Sequence, residues 1–151
     1  MAIIKLLIVL EPNHYLNKDE NKTLLNNMAE TYLTESERYG ISPIVFVVNN
    51  FLESDFKETS IGAKNEIGFA QVHGRAKRLC VEKGFDIYSQ VGGIRCSAYI
   101  YNLGYTKCRS IKKAFGYYVS GKCNGSQRSA RYRYAFYKKW ERYYEQRRIE
   151  K

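Results

Sequence analysis

The chain has 151 residues, of which 44% are hydrophobic and 26% are charged. This composition is typical of one globular domain, and it excludes disordered and multipass membrane proteins. Residues 1–106 carry 11 Lys/Arg and 12 Asp/Glu, a net charge of −1, whereas residues 107–151 carry 14 Lys/Arg and 3 Asp/Glu, a net charge of +11. The net charge of +10 therefore comes from the carboxy-terminal part of the chain. A basic segment of this kind favours an anionic partner, a class that includes nucleic acid, anionic lipid and bacterial cell wall.

The chain begins with the apolar run MAIIKLLIVL, which has the length of the hydrophobic part of a signal peptide. Residues 11–14 (EPNH) follow, where the small residues of a cleavage site are expected. We therefore expect a buried strand or a first helix turn that packs on the domain, rather than a cleaved signal.

Two helices are predicted in the first third of the chain. Residues 22–39 have apolar side chains at helical spacing and are followed by Gly40, a residue that ends helices in the left-handed conformation. Ser42 and Pro43 are typical of a helix start, and residues 44–52 are apolar on nearly all sides. The second segment is therefore predicted to be the buried central helix.

The remaining two thirds predict further helices joined by short loops. Residues 54–74 are irregular and predict an ordered loop, with a small β-hairpin as an alternative. Glycines or serines mark the helix ends beyond this loop, although the glycines at 92, 93 and 104 can also mark close helix packing. The predicted helices are 75–83 closed by Gly84, 87–103 ended by Gly104, 110–119 closed by Gly121, and a long one from Ser126 or Ser129 towards Arg148. The predicted fold class is mostly α.

Four cysteines can form two disulfides or remain thiols, and their spacing does not suggest zinc. Cys108 and Cys123 flank the predicted helix 110–119. Because a helix of about ten residues at roughly 1.5 Å per residue exceeds the reach of a disulfide, we do not expect this pair to be bonded.

Glu53 stands at the end of the apolar helix and directly before the polar loop. A carboxyl group in such a place is partly withdrawn from water, which raises its pKa and suits it to donate a proton near neutral pH. By residue type alone, the alternative is a solvated residue at a helix end.

Three stretches match, in order, sequence patterns of one enzyme family. Residues 39–43 (YGISP) with 51–56 (FLESDF) resemble the opening of the catalytic domain of soluble-type lytic transglycosylases. Residues 60–71 (SIGAKNEIGFAQ) resemble the block that follows, with Glu53 and Gln71 at the spacing of the family, and residues 114–121 (AFGYYVSG) resemble a later segment. The chain departs from the pattern at Gly62, where the family has Ser, and at Asn65-Glu66, where Gly-Ala is common; the latter variant is associated with phage and conjugation members.

The resemblance implies a single lysozyme-like domain over residues 1–151, with the motifs in roughly 22–137 and an amino-terminal extension of 1–20. It implies cleavage of the β-1,4 bond between N-acetylmuramic acid and N-acetylglucosamine of peptidoglycan, with a 1,6-anhydro product. In this reaction Glu53 acts first as general acid and then as general base. No metal and no cofactor are implied, and the site of action is the cell envelope, the periplasm or a phage virion.

The same resemblance implies substrate-binding roles for six residues: Gln71, Tyr118, Gly68, Phe69, Glu66 and Ser54. Three of these also have plainer interpretations. Gln71 can tie the loop together, and Tyr118 can be a core aromatic residue with a bonded hydroxyl. Glu66 can be a structural loop residue, or a second carboxylate that would make the enzyme a hydrolase. His73 is expected at the rim of the cleft, and Asp55 at a helix cap or in solvent.

Two alternative functions remain open. A goose-type muramidase hydrolyses the same glycosidic bond but needs a second carboxylate to activate water. The basic, tyrosine-rich carboxy-terminal helix also allows a nucleic-acid or virion-assembly binding module. The favoured interpretation of this helix is core packing with a solvated basic face, and nucleic acid is not the expected partner. The favoured partners are therefore peptidoglycan glycan strands and the anionic cell wall.

Overall fold

The computed structural model describes residues 2–10, 18–54, 56, 62, 66, 68 and 70–149. The fold is mostly α, as predicted. Within these residues there are seven α-helices and one 3-10 turn at Asp19–Asn21: α1 Ala2–Leu10, α2 Lys22–Tyr39, α3 Pro43–Ser54, α4 Gly74–Glu82, α5 Gln90–Cys108, α6 Ile111–Ser120 and α7 Gln127–Ile149. None of these helices is long and apolar enough to cross a membrane.

Local signals place the ends of α2 and α6 where the sequence predicts them. Gly40 ends α2 at φ +64°, and its amide bonds the carbonyl of Ser36. Ser110 caps the start of α6, because its hydroxyl accepts a hydrogen bond from the amide of Lys113. Both helices are thus confirmed to within one residue.

The central helix is α3, and it organises the core. Residues 44–50 are all buried, and the helix contacts α1, α2, α5 and α7. A smaller apolar cluster lies beside it, where α4 packs on α5. The prediction of a buried central helix is confirmed.

The apolar run at the start of the chain is helix α1. Its apolar side chains at 3, 6, 7 and 10 are buried in the same core, at the spacing of one helix face. The helix contacts α2, α3 and α7. Of the two structures expected for this run, a strand or a helix, the helix is correct.

The prediction that Gly104 ends a helix is wrong. Helix α5 begins after Ser89, whose hydroxyl accepts from the amide of Gly92, and it continues through Gly104 to Cys108. A Cβ atom on Gly104 would lie 2.6 Å from the ring of Tyr117. Gly104 therefore marks the crossing of α5 and α6, which is the alternative that the sequence left open.

The prediction about Cys108 and Cys123 is also wrong, because these residues form a disulfide with Cα atoms 5.4 Å apart. Helix α6 lies between the two cysteines and holds its own two ends far apart. The segment after α6 turns back along the helix, however, and brings Cys123 to Cys108. A Cβ atom on Gly116 would meet the carbonyl oxygen of Gly125 at 2.6 Å, which shows how closely that segment lies on α6. A second disulfide, Cys80–Cys96, joins α4 to α5.

Much of the loop predicted over residues 54–74 lies outside the described residues, including the hairpin alternative. The same holds for Asp55 and Phe69, for which the sequence analysis made predictions. Within the described part, Phe56, Gly68 and Ala70 are buried, so the loop is anchored on the core at these points.

Replacing both Cys108 and Cys123 with Ser should lower the free energy of unfolding by about 3 kcal/mol, the value expected for closing a loop of this length. Urea denaturation of the oxidised proteins measures the difference. The control is the same pair of proteins in reductant, where the difference should disappear. Equal stabilities under oxidising conditions would contradict the assignment of this disulfide.

Candidate functional site

The last turn of α3 presents Glu53 to a cleft of about 190 Å³. The cleft lies between the ends of α3 and α6, the first half of α7 and the segment that precedes α4, with one residue each from α4 and α5. Its lining residues are Glu53, Gly62, Glu66, Gln71, Val72, His73, Ala76, Ile100, Tyr118, Val119 and Arg133. Four of the predicted site residues, namely those at 53, 66, 71 and 118, are therefore brought together.

Glu53 forms an ion pair with Arg133 of α7. The distance from Oε1 of Glu53 to Nη1 of Arg133 is 2.7 Å, and the two side chains are only 16% and 12% exposed. Arg133 also donates from Nη1 to Oδ1 of Asn49 at 3.0 Å and from Nε to Oγ of Ser129 at 3.2 Å. The guanidinium is thus held by three acceptors, one of which is the candidate general acid.

Arg133 was missed because the charges of α7 were interpreted as one solvated face. The buried residues of this helix are Ala130, Tyr137 and Tyr144. Arg133 is three residues after the first and four before the second, so it lies on the buried face of the helix. The sequence signal for this face is the spacing of seven residues that relates Ala130, Tyr137 and Tyr144.

The pKa of Glu53 is raised above its ordinary value. Burial is the main cause, since it disfavours the charged form. The charge and hydrogen bond of Arg133 act in the opposite direction, and the negative charge of Glu66 adds to the rise. The carboxyl therefore keeps its proton to a higher pH than an exposed glutamic acid does, as predicted from its position in the sequence.

Glu66 shares the cleft, and Gly62 makes room for it. The amide of Gly62 donates to the carbonyl oxygen of Glu66 at 2.9 Å. A Cβ atom on Gly62 would collide with the carboxylate of Glu66 and lie 2.8 Å from Oε1 of Gln71. A side chain at position 62 would therefore require the carboxylate of Glu66 to move.

Gln71 lines the cleft, but its amide group stabilises the turn. The side-chain Nε2 donates to the carbonyl oxygen of Gly68 at 2.9 Å, and the backbone amide bonds the same carbonyl at 3.2 Å. Its backbone has φ +46°, an unusual value for a residue with a side chain. Gly68 itself is buried and does not line the cleft. The interpretation that Gln71 ties the loop together is supported.

Tyr118 joins α6 to this same turn. Its hydroxyl donates to the carbonyl oxygen of Ala70, and burial together with the charge of Glu53 raises its pKa. The buried side chains of Asn49 and Ser97 are close enough to lower that pKa. Even so, Nδ2 of Asn49 and Oγ of Ser97 lack a well-formed hydrogen bond within the described residues. Tyr118 is thus a protonated phenol whose own proton is used to hold the turn.

The structure does not bring Ser54 into the cleft. Its side chain is buried, and its hydroxyl donates to the carbonyl oxygen of Asn50 at 3.0 Å, inside α3. Phe69 lies outside the described residues, so its predicted role stays a prediction. His73 is exposed at the cleft, where a rim residue was expected.

No group of three His, Cys, Asp or Glu side chains in the described part of the chain could hold a metal ion. No known protein family matches the chain, and no characterised protein or solved structure matches it either. The cleft holds two carboxyl groups, one of which has a raised pKa, together with a guanidinium and a phenol. These groups are suited to proton transfer to and from a bound substrate.

Proposed function

We propose that the chain is a lytic transglycosylase, which cleaves the β-1,4 bond between N-acetylmuramic acid and N-acetylglucosamine in peptidoglycan. The observation that carries this proposal is the carboxyl group of Glu53, which is withdrawn from water at the end of a buried helix and faces a cleft. Burial raises its pKa, which is the direction that suits a general acid. The ordered motifs in the sequence support the same reaction.

The chemistry needs one carboxyl group in two successive roles. Glu53 protonates the glycosidic oxygen as the bond from that oxygen to C1 of the muramic acid breaks. The 6-hydroxyl of the same muramic acid then bonds to C1, and Glu53 takes the proton of that hydroxyl. The carboxyl group ends as it began, water is not consumed, and the new end is 1,6-anhydro-N-acetylmuramic acid.

Two other residues of the cleft, Tyr118 and Gln71, support this reaction by holding the backbone of the cleft wall in place. Tyr118 holds the carbonyl of Ala70 and Gln71 holds that of Gly68, so the wall of the cleft opposite Glu53 is fixed by two side chains. Removing either hydrogen bond would loosen the wall rather than remove a reacting group.

Glu53→Gln should reduce the rate of wall lysis at least about 100-fold, because the amide can neither donate nor accept the proton. Turbidity of a suspension of purified cell walls gives the rate, and circular dichroism verifies the fold. Glu82→Gln, at an exposed position of α4, is the matched control and should keep the wild-type rate. Near-normal lysis by a folded Glu53→Gln protein would contradict the proposal.

A second candidate, hydrolysis by a muramidase of the goose type, is favoured by one specific observation. The carboxylate of Glu66 lines the same cleft, and its charge acts on Glu53. A second carboxylate across a cleft is the arrangement by which glycosidases activate water. The products of the two reactions differ by one water molecule.

We expect muropeptides that end in 1,6-anhydro-N-acetylmuramic acid, at a mass roughly 18 Da below the hydrolysed product, because one carboxyl group completes the reaction. Mass spectrometry of the released muropeptides detects the difference. Glu66→Gln should retain most of the activity. Reducing ends from the wild type, together with a folded but inactive Glu66→Gln protein, would establish the hydrolase instead.

The basic carboxy-terminal part is proposed to bind the anionic cell wall. Exposed arginines at 128, 131 and 142 of α7 lie outside the cleft, whereas Arg133 of the same helix is inside it. The arginines proposed to bind the wall are therefore separate from the residues proposed to take part in the reaction. With this substrate, the proposed site of action is the cell envelope, the periplasm or a phage virion.

Replacing Arg128, Arg131 and Arg142 with Gln should weaken binding to purified walls at low salt and change it little at high salt, because exposed charges are screened within about 10 Å at 0.1 M. Sedimentation with walls at several salt concentrations measures the binding. An equal loss at every salt concentration would contradict an electrostatic role. Retention on DNA but not on walls would favour the nucleic-acid or virion-assembly module.

A further inference from the structure

We propose that Arg133 is a positioning residue for Glu53, holding the carboxyl group so that one oxygen faces the substrate and the same group can release and regain a proton. The inference rests on the proposed function and extends it to a residue of α7. Neither the charge pattern nor the family resemblance assigns this role.

The guanidinium of Arg133 is fixed from two helices. Nη1 contacts both Oε1 of Glu53 at 2.7 Å and Oδ1 of Asn49 at 3.0 Å, and Nε donates to Ser129 at 3.2 Å. Asn49 is fully buried in α3, four residues before Glu53, so it lies one helical turn away on the same face. A planar group with several donors is needed to satisfy these three acceptors, and a lysine ammonium lacks that geometry.

This arrangement distinguishes the two oxygens of the carboxyl group. Oε1 is engaged by Arg133, and within the described residues no ion pair or hydrogen bond is made to Oε2. The proton of the acid form therefore belongs on Oε2, where it can reach the glycosidic oxygen. After transfer, the carboxylate is stabilised by the guanidinium until the 6-hydroxyl returns a proton to it.

Four charged or titratable groups surround Glu53. They are Arg133 from α7, Tyr118 from α6, and Glu66 and His73 from the segment before α4. Burial and Glu66 favour the protonated form of Glu53, whereas Arg133 favours the carboxylate. Without Arg133, the carboxyl would hold its proton more tightly, which would keep it in the acid form to a higher pH but hinder both the transfer of the proton and the charged intermediate state.

The test compares Arg133→Met and Arg133→Lys with the wild type by two measurements. One is the pH dependence of kcat/KM for wall lysis, and the other is the titration of the Glu53 carboxyl carbon by NMR, assigned with Glu53→Gln. Arg133→Met should move both the titration midpoint and the alkaline limb of the rate profile upwards by about one pH unit, because a partner of opposite charge is lost. Arg133→Lys should keep the midpoint closer to that of the wild type while lowering the rate about tenfold, because it retains the charge but loses the bonds to Asn49 and Ser129.

Arg78→Met, at an exposed position of α4 away from the cleft, is the matched control and should change neither measurement. A Glu53 midpoint unchanged in folded Arg133→Met would overturn the inference. If that variant does not fold, Arg133→Lys decides, and a rate and midpoint equal to those of the wild type would overturn it. Since the titration needs no turnover, a midpoint that shifts in Arg133→Met while the wild type itself lyses no walls would overturn the proposed function but not the control of the Glu53 carboxyl by Arg133.

Discussion

The ion pair between Glu53 and Arg133 joins the central helix to the last helix and defines the chemistry of the cleft. It depends on the burial of α3, which carries Glu53 to the edge of the core, and on the burial of Ala130 and Tyr137, which turns Arg133 inwards. Burial of a carboxyl group and contact with a guanidinium change its proton affinity in opposite directions. Their combination leaves a group with a raised pKa that still has a stabilising partner when charged. An enzyme that uses one carboxyl group twice needs both properties.

The opposite wall of the cleft depends on a different set of interactions. Tyr118 and Gln71 bond backbone carbonyls of the turn before α4, and Gly62 leaves the space that the carboxylate of Glu66 occupies. Each of these interactions involves the backbone, so this wall is shaped by the path of the chain as well as by its side chains.

The sequence predicts features that depend on neighbouring residues and misses those that depend on distant contacts. Helices α2 and α6 follow from apolar spacing, a serine cap and a terminating glycine, all of which act within a few residues. Gly104 carries the same local signal as Gly40, yet contact with Tyr117 of another helix decides its role. The Cys108–Cys123 disulfide depends on the return of the chain after α6, which the length of that helix does not reveal. In the site, the position of Glu53 was predictable, whereas its pairing with Arg133, 80 residues later, needed the packing of α7 on α3.

The central claim is that Glu53 serves a reaction in which the substrate's own hydroxyl group replaces water. Digestion of purified cell walls in water enriched in ¹⁸O, followed by immediate borohydride reduction and mass spectrometry, tests this claim most directly. The account predicts released muropeptides that carry no ¹⁸O, because the oxygen bonded to C1 comes from the 6-hydroxyl. Incorporation of one ¹⁸O at each newly formed end would show that water is the nucleophile and would contradict the account.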